Sequence, residues 1–255
     1  MRLTRLLAAI IAPLAIVLAA CVPHNGAGTA PVGNSPVYNR AADPWGPDVS
    51  GWQHPAGAAI NWARVRAAGA SFVFVNVSEG TSYASGYFRS DLNAARAQGL
   101  YVGGYHFARP ALPLSSAAQQ ANYFINLLGN TRVQGWLPPV LDLEVTGGLS
   151  PANLTAWTRL FVQTVAARTG RNPIIYTGTW FWRGFLGNPT GFAQYPLWMA
   201  QYNDYATSPM LCGDWKTSTF WQYTDHRSVP GIVGPADASL FRGTKAQLAA
   251  MANAA

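Results

Sequence analysis

Two carboxylates, Asp142 and Glu144, close the apolar run Leu137-Pro-Pro-Val-Leu-Asp-Leu-Glu144. Successive side chains of a strand point to opposite faces, so Asp142 and Glu144 share one face and Leu141 and Leu143 the other. The strand rise puts such neighbours about 6–7 Å apart. Two acids that close cannot both ionise freely, and the one that keeps its proton meets the requirement for a general acid at neutral pH. A structural arginine or a divalent metal would also use such a pair. Keeping two carboxylates on one face of an apolar strand for structure alone is expensive, however, and no His or Cys flanks them as a transition-metal ligand.

The same placement recurs. Asp48 lies in the strand candidate Gly46–Trp52, Glu79 ends Phe72–Glu79, and Asp237 sits in Gly234–Phe241, so five of the ten carboxylates fall at strand ends. Trp52, Tyr105, Trp198, Tyr202, Trp221 and Tyr223 lie near those ends. Aromatic faces beside acids suit the apolar faces of sugar rings, although each ring serves core packing equally well. Only 11% of the residues are charged, roughly half the usual share, which makes the grouping of acids informative.

Positioning those acids requires a particular order of elements. Buried β-branched runs at Ser71–Val77, Leu100–Phe107, Leu137–Glu144 and Pro173–Thr177 alternate with helical patterns. Residues 115–129 place Ala121, Phe124, Ile125 and Leu128 on one stripe, and 151–169 place Leu154, Trp157, Phe161 and Val165 on another. Ser150, Pro151 and Gly170 mark the ends of the second helix, while Gly69 and Gly99 end two earlier ones. Past residue 178 the helical signal fades: Pro196–Tyr202 and Phe220–Tyr223 read as strands, and a helix over 244–253 finishes the chain. Strand and helix in alternation predict a parallel α/β barrel whose second half is short of helices, with its chemistry at the C-terminal ends of the strands.

The first residues, MRLTRLLAAIIAPLAIVLAAC, have the basic start, apolar stretch and small-residue end of a secretory signal, and are too short for a membrane span. Leu18-Ala19-Ala20-Cys21 resembles the bacterial lipobox, in which the chain is cut before the Cys and that thiol carries diacylglycerol. The expected division is a signal peptide at 1–20, lipidated Cys21 with a Pro/Gly-rich tether over 21–45, and a catalytic barrel over 46–255. The expected location is the outer face of the cell membrane or envelope, held by the lipid. Cys212 is then a lone and inert thiol.

The net charge is +7, from 17 Lys and Arg against 10 Asp and Glu. Without Arg2 and Arg5 the balance is 15 to 10, or +5, which favours polyanions. There is no Lys/Arg run, zinc-ligand spacing or basic helix, so nucleic acid is not the expected partner; an anionic wall polymer or membrane is. A Gly-x-Ser-x-Gly motif is absent, which argues against a serine hydrolase.

From about Gly46 to Phe241 the chain resembles the family 25 glycoside hydrolases, the Chalaropsis-type N-acetylmuramidases. Its motifs stand in family order: Gly46-Pro-Asp48-Val-Ser50-Gly-Trp-Gln53, Ile60-Asn-Trp62, Glu79-Gly80, Gly103-Gly-Tyr105-His106-Phe107, Asp142-Leu-Glu144, Trp198-Met-Ala-Gln-Tyr202, Trp221-Gln-Tyr223, Gly231 and Asp237. The resemblance implies a modified TIM-like barrel of about eight strands with about five outer helices. It implies hydrolysis, with retention, of the β-1,4 bond from N-acetylmuramic acid to N-acetylglucosamine in peptidoglycan. Glu144 becomes the proton donor, with Asp142, Asp48 and Asp237 completing an acidic floor. Asp142 acts either as nucleophile or by orienting the sugar's own N-acetyl group, the preferred route because two acids on one strand are badly placed to flank a bond. Glu79, Tyr105, Trp198, Tyr202 and Tyr223 are the implied substrate contacts. No metal or organic cofactor is required, and a monomer is expected. Asn76 and Ser78 stand where the family often has Lys, and Ser239 where Asn is common. His54, His106 and His226 are expected as supporting or surface groups. A noncatalytic wall-binding lipoprotein on the same fold is the alternative, but it would have no need of all four acids.

Overall fold

The computed structural model describes residues 37–202 and 207–254; the signal segment and Cys21 lie outside them. The first strand, β1 (Trp45–Val49), leads through two short 3₁₀ turns to α1 (Trp62–Ala67), β2 (Phe72–Glu79) and a two-residue β3 (Tyr83–Ala84). Then follow α2 (Phe88–Ala97), β4 (Tyr101–Phe107), α3 (Ser116–Leu128), β5 (Val140–Asp142), α4 (Pro151–Thr169) and β6 (Ile174–Gly178). The chain continues with α5 (Thr179–Gly184), β7 (Leu197–Ala200), β8 (Phe220–Ser228), β9 (Pro235–Phe241) and α6 (Lys245–Asn253).

The sheet order is β1-β9-β8-β7-β6-β5-β4-β2, and β1 pairs with β2 to close an eight-stranded barrel, with β3 attached outside the ring on β2. All pairs around the ring are parallel except those of β9, which runs against both β1 and β8. This is the expected α/β TIM-like barrel, with six α-helices among the described residues rather than about five. The unexpected one is α5, whose six residues are too few to show an apolar period.

Strand alternation sorts the core into two layers. Val73, Val75 and Val77 of β2 face outward to Phe124, Trp157 and Phe161 of the helices, whereas Phe72 and Phe74 fill the barrel with Val140, Tyr176, Trp198 and Phe220. Gly103 makes that filling possible, because a Cβ there would lie 2.4 Å from the Phe74 ring. Helix α4 starts and stops as its sequence requires: Ser150 accepts from the Asn153 N–H, Pro151 takes the first turn, and Gly170 turns left-handed at φ 67°. At the N-terminal end of the parallel strands α6 plugs the barrel, where Leu248 and Ala252 join the inner layer.

Among the described residues, no helix residue joins the cluster of Trp221, Tyr223, Ala238 and Leu240 on the outer face of β8 and β9. The segment just before β1 packs there instead. Tyr38 is buried with Trp221, Tyr223, Ala238 and Leu240. Its hydroxyl donates to the Ser218 carbonyl at 2.9 Å, its ring meets Trp221 edge-on at 5.5 Å, and its backbone N–H reaches the Thr207 carbonyl at 2.7 Å. The Arg40 guanidinium lies over the Trp221 and Tyr223 rings at 5.1 and 4.8 Å. An aromatic anchor with a satisfied hydroxyl outweighs the Pro/Gly-rich composition that surrounds it.

Candidate active site

The C-terminal mouth of the barrel gathers the acids. Asp142 is the last residue of β5, in register with Phe107 of β4 and Tyr176 of β6, and it is buried. Leu141 and Leu143 join the outer layer, so the alternation holds, and the Leu143 N–H extends the ladder to the Tyr176 carbonyl. Glu144 follows, half-buried. Across the mouth, Asp48 of β1 stands directly opposite Asp237 of β9. The two carboxyls are within hydrogen-bonding reach of each other.

All four acids hold their protons more tightly than free carboxyls. Burial is the largest cause in each case. For Asp48 the next is the charge of Asp237, and for Asp142 it is Glu144, followed by Asp48 and Asp237. Glu144 is raised by burial and then by Asp237, with the Arg109 guanidinium pulling it down. Asp237 is pushed up to about 6 by burial, against the hydrogen bond from Asp48. A cluster of this kind keeps part of its protons at neutral pH, as general-acid catalysis requires.

One atom in the cluster is unsatisfied. Asp142 Oδ1 is buried without a hydrogen-bond partner among the described residues. Buried polar atoms are nearly always paired, and at a barrel mouth such an oxygen is an acceptor that a ligand N–H or O–H would fill.

Around the acids lie phenols and an amide. Burial, and after it the charges of Asp48, Asp142 and Asp237, keep the Tyr105 hydroxyl protonated far above its ordinary range, so it acts as a donor. Tyr176 and Tyr202 donate to Gln222 Oε1 at 2.7 and 3.0 Å, and Gln222 Nε2 donates to both Asp48 oxygens at 3.2 and 3.0 Å. Tyr202 is half-exposed at the mouth. Glu79 pairs with Arg109 at the rim, where Nε and Nη2 reach Oε1 at 2.7 and 2.6 Å. Trp52 projects into solvent from the turn after β1.

Two expected contacts are engaged with other partners. Trp198 points into the barrel in register with Tyr176, buried, stacked on Phe74 at 4.4 Å and with its Nε1 donating to Ser239 Oγ at 2.9 Å. Tyr223 faces outward into the cluster with Tyr38 and Trp221, and its hydroxyl bonds Arg227. On β8 the inward residues are Phe220 and Gln222, so the Trp-Gln-Tyr triplet presents its amide, not its rings, to the acids. Gln222, Tyr176 and Arg109 were missed from sequence, although Phe220 as an inward residue fixes Gln222 two positions later.

The histidines support the frame. His106 sits outside the barrel, with Nδ1 2.9 Å from Ser78 Oγ and Nε2 3.2 Å from Gln120 Oε1, and burial lowers it to about 4. His54 pairs with Asp91 at 2.8 Å and stacks on Tyr87. The Cys212 thiol is buried and pushed up to about 12, mainly by desolvation, as suits an inert thiol. Among the described residues, no group of three or more His, Cys, Asp or Glu side chains is arranged to hold a metal ion.

Comparison with known proteins identifies the family. Residues 47–232 match the family model described as glycosyl hydrolases family 25. The chain is 37% identical over 216 residues to lysozyme M1 of Streptomyces globisporus, covering 82% of this chain and 71% of that one. It is 40% identical over 190 residues to the N,O-diacetylmuramidase of Chalaropsis sp, covering 70% and 86%. The crystal structure of the bacterial lysozyme from Streptomyces coelicolor superposes with a TM-score of 0.76 at 36% identity, over 83% of this chain and 98% of that one. With a barrel mouth holding four buried or half-buried acids and a family match over most of its length, the chain belongs to the family 25 glycosyl hydrolases and is a glycoside hydrolase.

Proposed function

We propose that the chain is an N-acetylmuramidase that cleaves the β-1,4 bond between N-acetylmuramic acid and N-acetylglucosamine with retained configuration. The coarser statement, a hydrolase of peptidoglycan, rests on the family and on relatives called lysozyme and N,O-diacetylmuramidase. The finer one is supported chiefly by the unpartnered Asp142 Oδ1 next to the raised carboxyl of Glu144.

In this reading the acetamido N–H of the muramic acid donates to Asp142. That bond turns the acetyl oxygen toward the anomeric carbon. Glu144 gives its proton to the glycosidic oxygen as the C–O bond breaks, and the acetyl oxygen forms the new bond at carbon 1, giving an oxazolinium ion. Glu144, now ionised, takes a proton from water as the water oxygen attacks carbon 1 and the acetyl oxygen leaves. Two inversions give net retention, and Glu144 ends protonated. Asp142, kept buried, stabilises the cationic intermediate. The Tyr105 hydroxyl donates near the anomeric centre, and the Asp48–Asp237 pair lines the floor. Direct attack by Asp142 is the second route, with the same stereochemical outcome.

The lipid anchor belongs to the proposal as well. The basic start, the apolar stretch and Leu18-Ala19-Ala20-Cys21 support a processed lipoprotein held at the outer face of the cell membrane, with peptidoglycan strands as its partner. Metabolic labelling with an alkyne fatty acid, present in the native chain and absent in Cys21→Ala, tests this part.

The catalytic proposal is tested by digesting purified peptidoglycan and identifying new reducing ends by borohydride reduction. Reducing N-acetylmuramic acid is the expected product. Reducing N-acetylglucosamine would overturn the bond assignment, and wall binding without product would point to a noncatalytic lipoprotein.

A further inference from the structure

Gln222 connects three sides of the barrel mouth through bonds that the reaction scheme does not use. Its Oε1 accepts from Tyr176 of β6 and from Tyr202 just after β7, so both lone pairs of the amide oxygen are engaged. Nε2 is thereby turned toward β1, where it donates to both oxygens of Asp48. The side chain is only 1% exposed, so each bond is made away from water, where losing one partner leaves the others unsatisfied. An amide nitrogen donates and cannot accept, and Asp48 is therefore met as an acceptor.

We propose that Gln222 is a positioning residue: oriented by Tyr176 and Tyr202, it holds Asp48 as a hydrogen-bond acceptor opposite Asp237 and so fixes the acid floor beneath the sugar. The role rests on the muramidase reading for its catalytic meaning, but not for its geometry. Asp237 of β9, Asp142 at the end of β5, Glu144 two residues after it, Tyr105 of β4, Tyr176 of β6 and Tyr202 are the titratable groups around Asp48. Burial, Asp237 and Glu144 oppose its ionisation, while the Gln222 amide favours it. The opposite amide orientation would set Oε1 against Asp48 and favour the protonated carboxyl, so the two arrangements predict shifts of opposite sign.

The test is a carbon-13 carboxyl titration of the full chain labelled at aspartate, with the Asp48 signal assigned by its loss in Asp48→Asn. In Gln222→Leu the Asp48 titration is expected to move up by about one pH unit, since a donated hydrogen bond to the charged form is lost. Muramidase kcat is expected to fall at least about tenfold with KM changed less than about threefold, as for an interaction realised in the transition state. Tyr202→Phe removes one bond from the half-exposed end and is expected to give a smaller shift of the same sign; it decides the matter should Gln222→Leu not fold. An Asp48 titration that stays in place or moves down overturns the role, and so does an unchanged kcat. A wild-type chain that releases no reducing muramic acid would instead strike the muramidase reading, with the titration still deciding the role of Gln222.

Discussion

Asp48 and Asp237 face each other across the antiparallel β1–β9 ladder, and both are raised by burial. For Asp237 the folded-state value of about 6 stands above the ordinary 3.8 of a free aspartate. The folded state thus binds this proton more tightly than the unfolded one. Its favourable contribution is complete below the unfolded value and is lost as pH rises through the folded one. At neutral pH the pair is a liability kept for function. Asp237→Asn is expected to raise the melting temperature at pH 7 by about 2–4 °C, equivalent to about 1 kcal/mol in a domain of this size. The gain should vanish at pH 4, and calorimetry at the two pH values checks it.

Glu144→Gln removes the transferable proton and preserves the shape. Hydrolysis is expected to fall by about 10²–10⁴-fold, the usual worth of general acid–base catalysis. Wall binding should persist, which a sedimentation assay with insoluble peptidoglycan measures alongside reducing-end release.

The two roles for Asp142 separate on substrate chemistry. If the acetamido group is the nucleophile, glycan whose muramic acid has been de-N-acetylated is not cut, because no acetyl oxygen remains. If Asp142 attacks carbon 1 itself, that glycan is still cleaved and a glycosyl-enzyme is trapped on Asp142. Mass spectrometry of the protein after brief incubation distinguishes them.

His106 is neutral and enclosed between β4 and the helices, lowered to about 4 from 6.5 by burial. A depressed folded-state value means that its contribution is present above pH 6.5 and is lost as pH falls toward 4. Its imidazole carbon-bound proton is expected to keep its neutral chemical shift down to pH 5 in a proton NMR titration. A midpoint near 6.5 would contradict this.

Tyr38→Ala removes the ring that seats residues 37–44 on the bare face of the sheet. Loss of a large buried aromatic costs about 3 kcal/mol, or roughly 6–12 °C in melting temperature for a domain of this size. Activity at 25 °C is expected within about twofold of wild type, since the cluster lies on the outer face of the sheet. Thermal melting and reducing-end release check both halves.

Much of this was legible in the residues themselves. Strand alternation in Leu141–Glu144 set the two acids on one face, and Ser150, Pro151 and Gly170 bounded α4 without error. What escaped had a physical cause. Helix α5 is shorter than two turns, so no period could announce it. In Trp221-Gln222-Tyr223 the large aromatics drew attention to themselves, yet the face that a strand residue occupies depends on its neighbours and not on its size. Tyr38 lay within a Pro/Gly-rich stretch, and composition averages away a single anchoring ring.

Closure of the ring carries a last consequence. The first described strand is bonded on one side to β2 and on the other to β9, the last strand of the barrel. Asp48 and Asp237 become neighbours only when these two distant stretches join, so the floor of the site rests on a pairing between the two ends of the barrel. A chain that has not yet placed β9 carries Asp48, Asp142 and Glu144 but lacks Asp237 opposite Asp48. The four-acid mouth is therefore a property of the closed ring and not of any one segment of the chain.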